Sequence, residues 1–111
     1  MGTYFTKEHE WIRINGSAGV VGITAYAADL LGNITYVDLP VTGREVRQSE
    51  ILCTIESEKA ASDIHAPISG KVAEANKNLD NTPEIINQSP EDEGWLLRLE
   101  VYAPEELKAL L

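Results

Sequence analysis

Short segments in which apolar and polar residues alternate lie on both sides of a turn near the middle of the chain. In the segment 50–56 the apolar residues of one face are Ile51, Cys53 and Ile55. After the turn the same spacing returns in Ile64, Ala66 and Ile68. Alternation at period two is typical of half-buried β-strands, so the pattern predicts a β-hairpin with Lys59 at its tip.

Further strand and turn signals occur along most of the 111 residues. Asn15-Gly16 predicts a tight turn between strands 11–14 and 18–23, because both residues tolerate positive φ. Additional strands are predicted at 33–39, 45–46, 71–76 and 95–101. In the strand 33–39, simple alternation places Ile34 on one face and Val37 on the other.

Helices are predicted to be few and short. Capping and proline signals place them at 25–31 after Thr24 and before Gly32, at 83–86 from Pro83, and at 105–111 after Pro104. Since the length is that of one domain, the chain is predicted to form a single, mainly β domain over residues 1–111.

The charge and the cysteine content exclude several classes of function. The chain carries 18 acidic and 9 basic residues, and its formal net charge of −9 argues against nucleic acid and anionic membranes as partners. Partners with basic docking faces suit this charge better. The one cysteine, Cys53, cannot form an internal disulfide, which favours a reducing compartment. Neither a membrane-spanning run nor a signal-peptide pattern is present, so we expect a cytoplasmic protein.

Common catalytic and metal-binding signatures are absent from the sequence. It contains no Gly-rich phosphate loop, no G-x-S-x-G, no C-x-x-C and no H-E-x-x-H. Glu8, His9 and Glu10 could hold a metal only if they converged, whereas consecutive strand residues point to alternate faces. We therefore expect neither a metal site nor catalytic residues. Cys53 falls on the apolar face of its strand, which predicts a buried, unreactive thiol.

Lys59 is the remaining candidate for function. It is the only lysine or arginine between Arg47 and Lys71, and the small residues 60–62 follow it. A surface lysine paired with a neighbouring acid is the simplest interpretation. A lysine presented on a hairpin tip is also what an enzyme needs in order to attach a cofactor to it. Composition and spacing leave both interpretations open.

A set of segments distributed along the chain matches one protein family. They are YFTKEHEW at 4–11, VGITAYA at 21–27, LGNI at 31–34, YVDLP at 36–40, ESEKAASDIHAPISGKV at 56–72, PEIIN at 83–87 and EGWL at 93–96. Together they resemble the H-E-W motif, the G-I-T-x-Y-A segment and the lipoyl-lysine hairpin of the glycine cleavage system H proteins. The resemblance covers nearly the whole chain.

This resemblance implies a fold, a cofactor and a role. The fold is a flattened antiparallel barrel or sandwich of two small sheets with added helices. The cofactor is lipoate, joined by an amide to Lys59. The role is that of a non-catalytic carrier, which shuttles the aminomethyl group of glycine on the lipoyl arm.

The resemblance also implies partners and neighbours of the arm. The implied partners are glycine dehydrogenase (decarboxylating), aminomethyltransferase, dihydrolipoyl dehydrogenase, and a lipoate ligase or an octanoyl or lipoyl transferase, acting on a monomer. Glu10, Asp63 and His9 are implied to contact the arm. Glu56 and Ser57 are implied to be recognised by the attachment enzyme.

Several positions depart from the family pattern, and other carriers share the hairpin. Glu58 precedes the lysine where Val is common in the family, and the loop 89–93 lacks a familiar aromatic residue. Glu8 stands where some relatives have a small hydroxyl residue, which adds a charge near the arm. A biotin carrier usually has Met on both sides of its lysine, and Glu58 and Ala60 argue against it. A similar lipoyl carrier used in lipoate transfer to other complexes or in redox signalling, and an interaction module that is never lipoylated, are alternatives that the sequence leaves open.

Overall fold

The computed structural model describes residues 2–110, and this part of the chain is mainly β. The strands are β1 (Gly2–Phe5), β2 (Glu10–Asn15), β3 (Ala18–Ile23), β4 (Ile34–Asp38), β5 (Glu45–Val46), β6 (Ile51–Ser57), β7 (Ala61–His65), β8 (Gly70–Ala75) and β9 (Leu97–Val101). The helices are α1 (Ala25–Leu31), α2 (Asn78–Asn81) and α3 (Ile85–Gln88), followed by a 3-10 helix over Pro104–Ala109.

The strands form two antiparallel sheets that pack around one buried cluster of apolar side chains. The larger sheet has six strands in the order β1-β2-β3-β9-β8-β5, and the smaller has three in the order β4-β6-β7. The buried cluster draws residues from both sheets, for example Ile12 and Leu99 from the larger and Ile55 and Ile64 from the smaller. The predicted pair of small antiparallel sheets is confirmed, and within residues 2–110 neither sheet closes into a barrel.

Two β-bulges change the predicted faces of two strands. In β6 the register shifts between Ile51 and Cys53, so that Leu52 is buried and Ile51 is 49% exposed, the reverse of the prediction. In β4 a shift between Ile34 and Tyr36 leaves both Ile34 and Val37 buried on the same side. An extra residue in one strand breaks the period of two, which alternation alone does not reveal.

Several elements differ from the prediction, mostly near the ends of the described chain. The strand β1, which pairs with β2, and the helix α2 were not predicted. The closing helix is 3-10 rather than α and ends at Ala109, and its predicted last residue, Leu111, lies outside the described residues. Short elements such as these depend on tertiary contacts more than on local propensity.

The helix α1, which borders the candidate site, is capped at both ends as predicted. The Thr24 hydroxyl accepts a hydrogen bond from the Ala27 amide at 3.2 Å. A second, unpredicted cap comes from the Glu91 carboxylate, which accepts from the Ala25 amide at 2.9 Å. Gly32, at φ 77°, ends the helix and donates its N–H to the Ala28 carbonyl. No helix in the range 2–110 is long and apolar enough to cross a membrane.

A substitution of Gly22 on β3 tests how tightly the backbone packs against Trp11, the largest buried side chain. A Cβ added there would lie 2.5 Å from Cζ2 of Trp11, whose ring is fully buried and hydrogen-bonded to the Ile23 carbonyl. Because this ring cannot move aside, Gly22→Ala should lower the free energy of unfolding by about 1–3 kcal/mol. Urea denaturation measures the change. Gly2→Ala, whose Cβ would meet nothing closer than 3.7 Å, should have little effect; equal losses in both variants would contradict this account.

Candidate functional site

The tip of the β6–β7 hairpin holds Lys59 on a turn that one serine organises. The Ser57 hydroxyl accepts hydrogen bonds from the amides of Lys59 at 3.2 Å and Ala60 at 3.1 Å. The Ser57 amide donates to the Ala60 carbonyl at 2.8 Å, which closes the turn. The backbone beneath Lys59 is therefore held in one conformation, while the side chains of residues 58–61 are exposed.

Two asparagines connect this turn to the body of the protein. The Glu58 amide donates to the Asn33 carbonyl at 3.1 Å, and the Asn33 side chain donates to the Glu58 carboxylate at 3.0 Å. Asn87, on α3, donates to the Gly32 carbonyl at 2.7 Å and accepts from the Ile34 amide at 2.9 Å. The loop between α1 and β4 is thus fixed to α3, and the hairpin tip is fixed to that loop.

The outer part of the Lys59 side chain lies against Gly32 at the end of α1. A Cβ on Gly32 would lie 2.7 Å from Cε of Lys59, so the missing side chain leaves room for the lysine stem. Lys59 forms no ion pair with any residue between 2 and 110, although Glu56 and Glu58 are close in sequence. Its ammonium group is therefore accessible.

A groove with a volume of about 160 Å³ lies between α1 and β7, and Leu31, the residue before Gly32, lines it. Its lining is mostly apolar and consists of Ile23, Ala27, Leu30, Leu31 and Ile64, together with Glu8, His9 and Ser62. The His9 ring packs against the ring of Tyr26 on α1, with centroids 4.6 Å apart. His9, predicted to contact the arm, therefore lies in this groove.

Glu10, also predicted to contact the arm, is a buried carboxylate at the start of β2. Its side chain is 1% exposed and accepts hydrogen bonds from the Thr6 hydroxyl at 2.9 Å and from the His65 amide at 2.7 Å. Burial raises the pKa of Glu10 above its ordinary value, and the bonds from His65 and Thr6 offset part of that effect. Glu10 lines a cavity of about 250 Å³ next to the groove, and Glu8 lines both spaces.

The remaining predicted residues lie on the exposed side of the hairpin. The Asp63 carboxylate accepts a hydrogen bond from the Thr54 hydroxyl at 3.1 Å, across the β6–β7 pair. It is exposed and is not among the residues that line the groove or the Glu10 cavity. Glu56 is exposed at the end of β6, next to the half-buried Ser57. The roles of these three residues stay predictions.

Residues 8–10 do not form the continuous strand that the sequence suggested. Glu8 and His9 lie in a turn before β2, and His9 has a φ of 67°. That turn brings Glu8 near Glu10 instead of separating them, and both approach His65, a residue that the sequence reasoning did not select. Only long-range packing joins His65 to this turn, so residue spacing carried no signal for it.

Cys53 is buried and its thiol is free, as predicted. Burial, reinforced by the nearby carboxylates of Glu10 and Asp38, raises the pKa of Cys53 to about 12. A thiol that stays protonated at neutral pH is a poor nucleophile, so it belongs to the core and not to the site.

Comparison with known proteins places this geometry in a family. The family model described as Glycine cleavage H-protein matches residues 3–111. The chain belongs to the glycine cleavage H-protein family. It is 51% identical over 107 residues to a glycine cleavage system H protein of Symbiobacterium thermophilum, covering 96% of this chain and 84% of that one. A relative of the same name from Thermotoga maritima is 50% identical over 107 residues, with 96% and 86% covered.

A solved structure extends the similarity to the fold. The crystal structure of a glycine cleavage system H protein from Mycobacterium marinum matches with a TM-score of 0.83 and 32% identity, covering 96% of this chain and 94% of that one. As a member of the glycine cleavage H-protein family, the chain is a carrier protein of the glycine cleavage system and not a catalyst. The predicted family, fold and carrier role are confirmed.

A substitution of Asn87 tests whether this side chain anchors the hairpin tip to α3. Asn87→Ala removes its bonds to Gly32 and Ile34 and should lower the free energy of unfolding by about 1–3 kcal/mol. The Glu58 amide, bonded to the neighbouring Asn33, should exchange its hydrogen faster. Urea denaturation and amide hydrogen exchange measure the two effects.

Asn81→Ala is the matched control for that experiment. Asn81 is exposed on α2, and its side chain makes no hydrogen bond within residues 2–110. It should change neither quantity. Unaltered exchange at Glu58 in Asn87→Ala would show that Asn87 does not hold the tip.

Proposed function

We propose that Lys59 is the attachment site of lipoate, through an amide between Nζ and the lipoate carboxyl group. The observation that carries this proposal is an exposed lysine without an ion pair in residues 2–110, on a turn that Ser57, Asn33 and Asn87 hold in place. A lipoyl group there would supply a dithiolane that accepts the aminomethyl group of glycine and gives it up again. The chain itself supplies a fixed base for the arm.

The groove between α1 and β7 fits a resting place for such an arm. A lysine extended by a lipoyl chain reaches about 10–15 Å by summed bond lengths. Ser62 and Ile64, which line the groove, stand three and five residues past Lys59, a distance of at most about 16 Å along an extended chain. The apolar lining suits the aliphatic part of the arm and excludes water from it.

The acids that line the groove and the adjoining cavity suit a positively charged cargo. Glu8 lies in the groove, and Glu10 lies in the adjoining cavity. We propose that Glu10, with His9 beside it, contacts the arm when it carries a protonated amine, because an opposite charge stabilises that form. Asp63 would contribute to the same field from the exposed side of the hairpin, where Thr54 holds its carboxylate.

The partners that we propose are the other components of the glycine cleavage system. They are glycine dehydrogenase (decarboxylating), aminomethyltransferase and dihydrolipoyl dehydrogenase, with a lipoate ligase or an octanoyl or lipoyl transferase as the attachment enzyme. The net charge of −9 and the exposed Glu56, Glu58 and Asp63 around the tip favour docking to basic faces. Glu56 and Ser57 are proposed as the contacts of the attachment enzyme, because they adjoin the lysine. The monomeric state and the cytoplasmic location stay predictions.

The attachment site is tested by intact mass. The full chain, expressed with lipoate and a lipoate ligase, should gain the mass of one lipoyl group, and fragmentation should place it on Lys59. Lys59→Arg should gain nothing, whereas Lys71→Arg, on β8 of the six-stranded sheet, should be modified like the natural chain. An unmodified natural chain, or one modified elsewhere, would refute the proposal.

The resting place of the arm is tested by filling the groove. Ala27→Phe adds a ring among residues that line the groove, so a loaded arm should be displaced into water. We expect lipoylation to be retained and the amine to be lost from the loaded arm about fivefold faster, a change of about 1 kcal/mol. Release of the amine, followed over time by mass spectrometry, measures the rate.

Ala25→Phe is the control for this change. It introduces the same ring on the same helix, at an exposed position outside the groove. Its loaded arm should lose the amine at the natural rate. Equal rates in both variants and in the natural chain would show that the loaded arm does not rest in the groove.

A further inference from the structure

A cluster of three possible metal ligands lies in the cavity beside the groove. One carboxylate oxygen each of Glu8 and Glu10 and one ring nitrogen of His65 lie within 4.8 Å of one another. They come from the turn before β2, from β2 and from β7, so two sheets meet at this point. We propose that Glu8, Glu10 and His65 form a binding site for a divalent transition-metal ion of the zinc class.

The distance between two of these groups already matches a coordination sphere. Zn²⁺ binds histidine nitrogen and carboxylate oxygen at about 2.0–2.2 Å, and two such ligands at a tetrahedral angle are about 3.4 Å apart. Nδ1 of His65 and Oε2 of Glu10 are 3.4 Å apart. That separation is longer than a normal hydrogen bond, and it leaves room for an ion that touches both atoms.

The environment of His65 adds a further observation, because one ring nitrogen is buried although the side chain as a whole is 34% exposed. Its Nδ1 is buried and has no hydrogen-bond partner within the described chain. A buried polar atom without a partner is costly, and a bound ion is one of the ways in which a protein satisfies such an atom. Nδ1 faces Glu10, which is itself almost fully buried, so the orphaned nitrogen points into the cluster.

Glu8 completes the set and is free to move. It is exposed, so a change of rotamer can bring its carboxylate from the present separation to coordination distance. Lys7 also lines the cavity, but it is exposed and its ammonium group can turn to solvent. Three protein ligands leave a fourth position open, which a water molecule can fill.

The proposed site departs from the expectation of no metal site, and its ligands differ from the set Glu8, His9 and Glu10 that was considered from the sequence. The histidine of the proposed site is His65 and not His9, the neighbour of both glutamates in the sequence. The His9 ring packs instead against Tyr26. The two histidines therefore provide a matched pair for the experiment.

The test is isothermal titration of Zn²⁺ into the full chain without lipoate. The unlipoylated protein is used because the thiols of a reduced lipoyl group would bind zinc themselves, and because the result is then independent of the proposed function. We expect saturable binding of one ion per chain. His65→Asn and Glu8→Gln should each weaken binding at least about tenfold, while His9→Asn should bind as the natural chain does.

Nuclear magnetic resonance provides the site-specific readout. Zinc should shift the ring nitrogen signals of His65 and leave those of His9 nearly unchanged. If His65→Asn disturbs folding, Glu8→Gln still tests the site, because Glu8 is exposed and its substitution should leave the fold intact. Absence of saturable binding would overturn the proposal, and so would binding that survives His65→Asn and Glu8→Gln or is lost in His9→Asn.

Discussion

The hydrogen bonds of the buried Glu10 carboxylate are the interaction on which the geometry of the site depends. The carboxylate lies on β2 of the six-stranded sheet and accepts a hydrogen bond from the amide of His65 on β7 of the three-stranded sheet, at 2.7 Å. A buried carboxylate without donors would cost several kcal/mol, so this bond and that from Thr6 fix where the edge of the small sheet meets the large one. The groove beside α1 and the cavity that Glu8 shares with Glu10 both lie along this junction.

A carrier needs a fixed base and a free arm, and the structure separates the two. The base is held by local hydrogen bonds that the Ser57 hydroxyl accepts and by the connection through Asn33 and Asn87. Only the side chain of Lys59 extends beyond these bonds, over a glycine that leaves room for its outer methylene groups. Since the turn is already ordered, little of its backbone must become ordered when a partner binds the arm. The entropic cost of binding is therefore smaller.

The sequence predicted the elements whose signals are local. The strand Ala18–Ile23 and the helix Ala25–Leu31 followed from the Asn-Gly turn and from Thr24 and Gly32, and the hairpin of Lys59 followed from alternation. The buried side of Leu52 was missed because a bulge shifts the register there. Asn87 and His65 were missed for another reason: each acts on residues more than 50 positions away, a relation that appears only after the two sheets have packed.

The most direct test of the central claim compares backbone amide chemical shifts of the lipoylated chain before and after it is loaded with the aminomethyl group. If the arm rests in the groove, loading should shift the amides of Ala27, Leu31 and Ile64, and of the turn at Glu8, while those of β9 on the large sheet stay unchanged. Shifts confined to the hairpin tip around Lys59 would show a loaded arm free in solvent, and they would contradict the account.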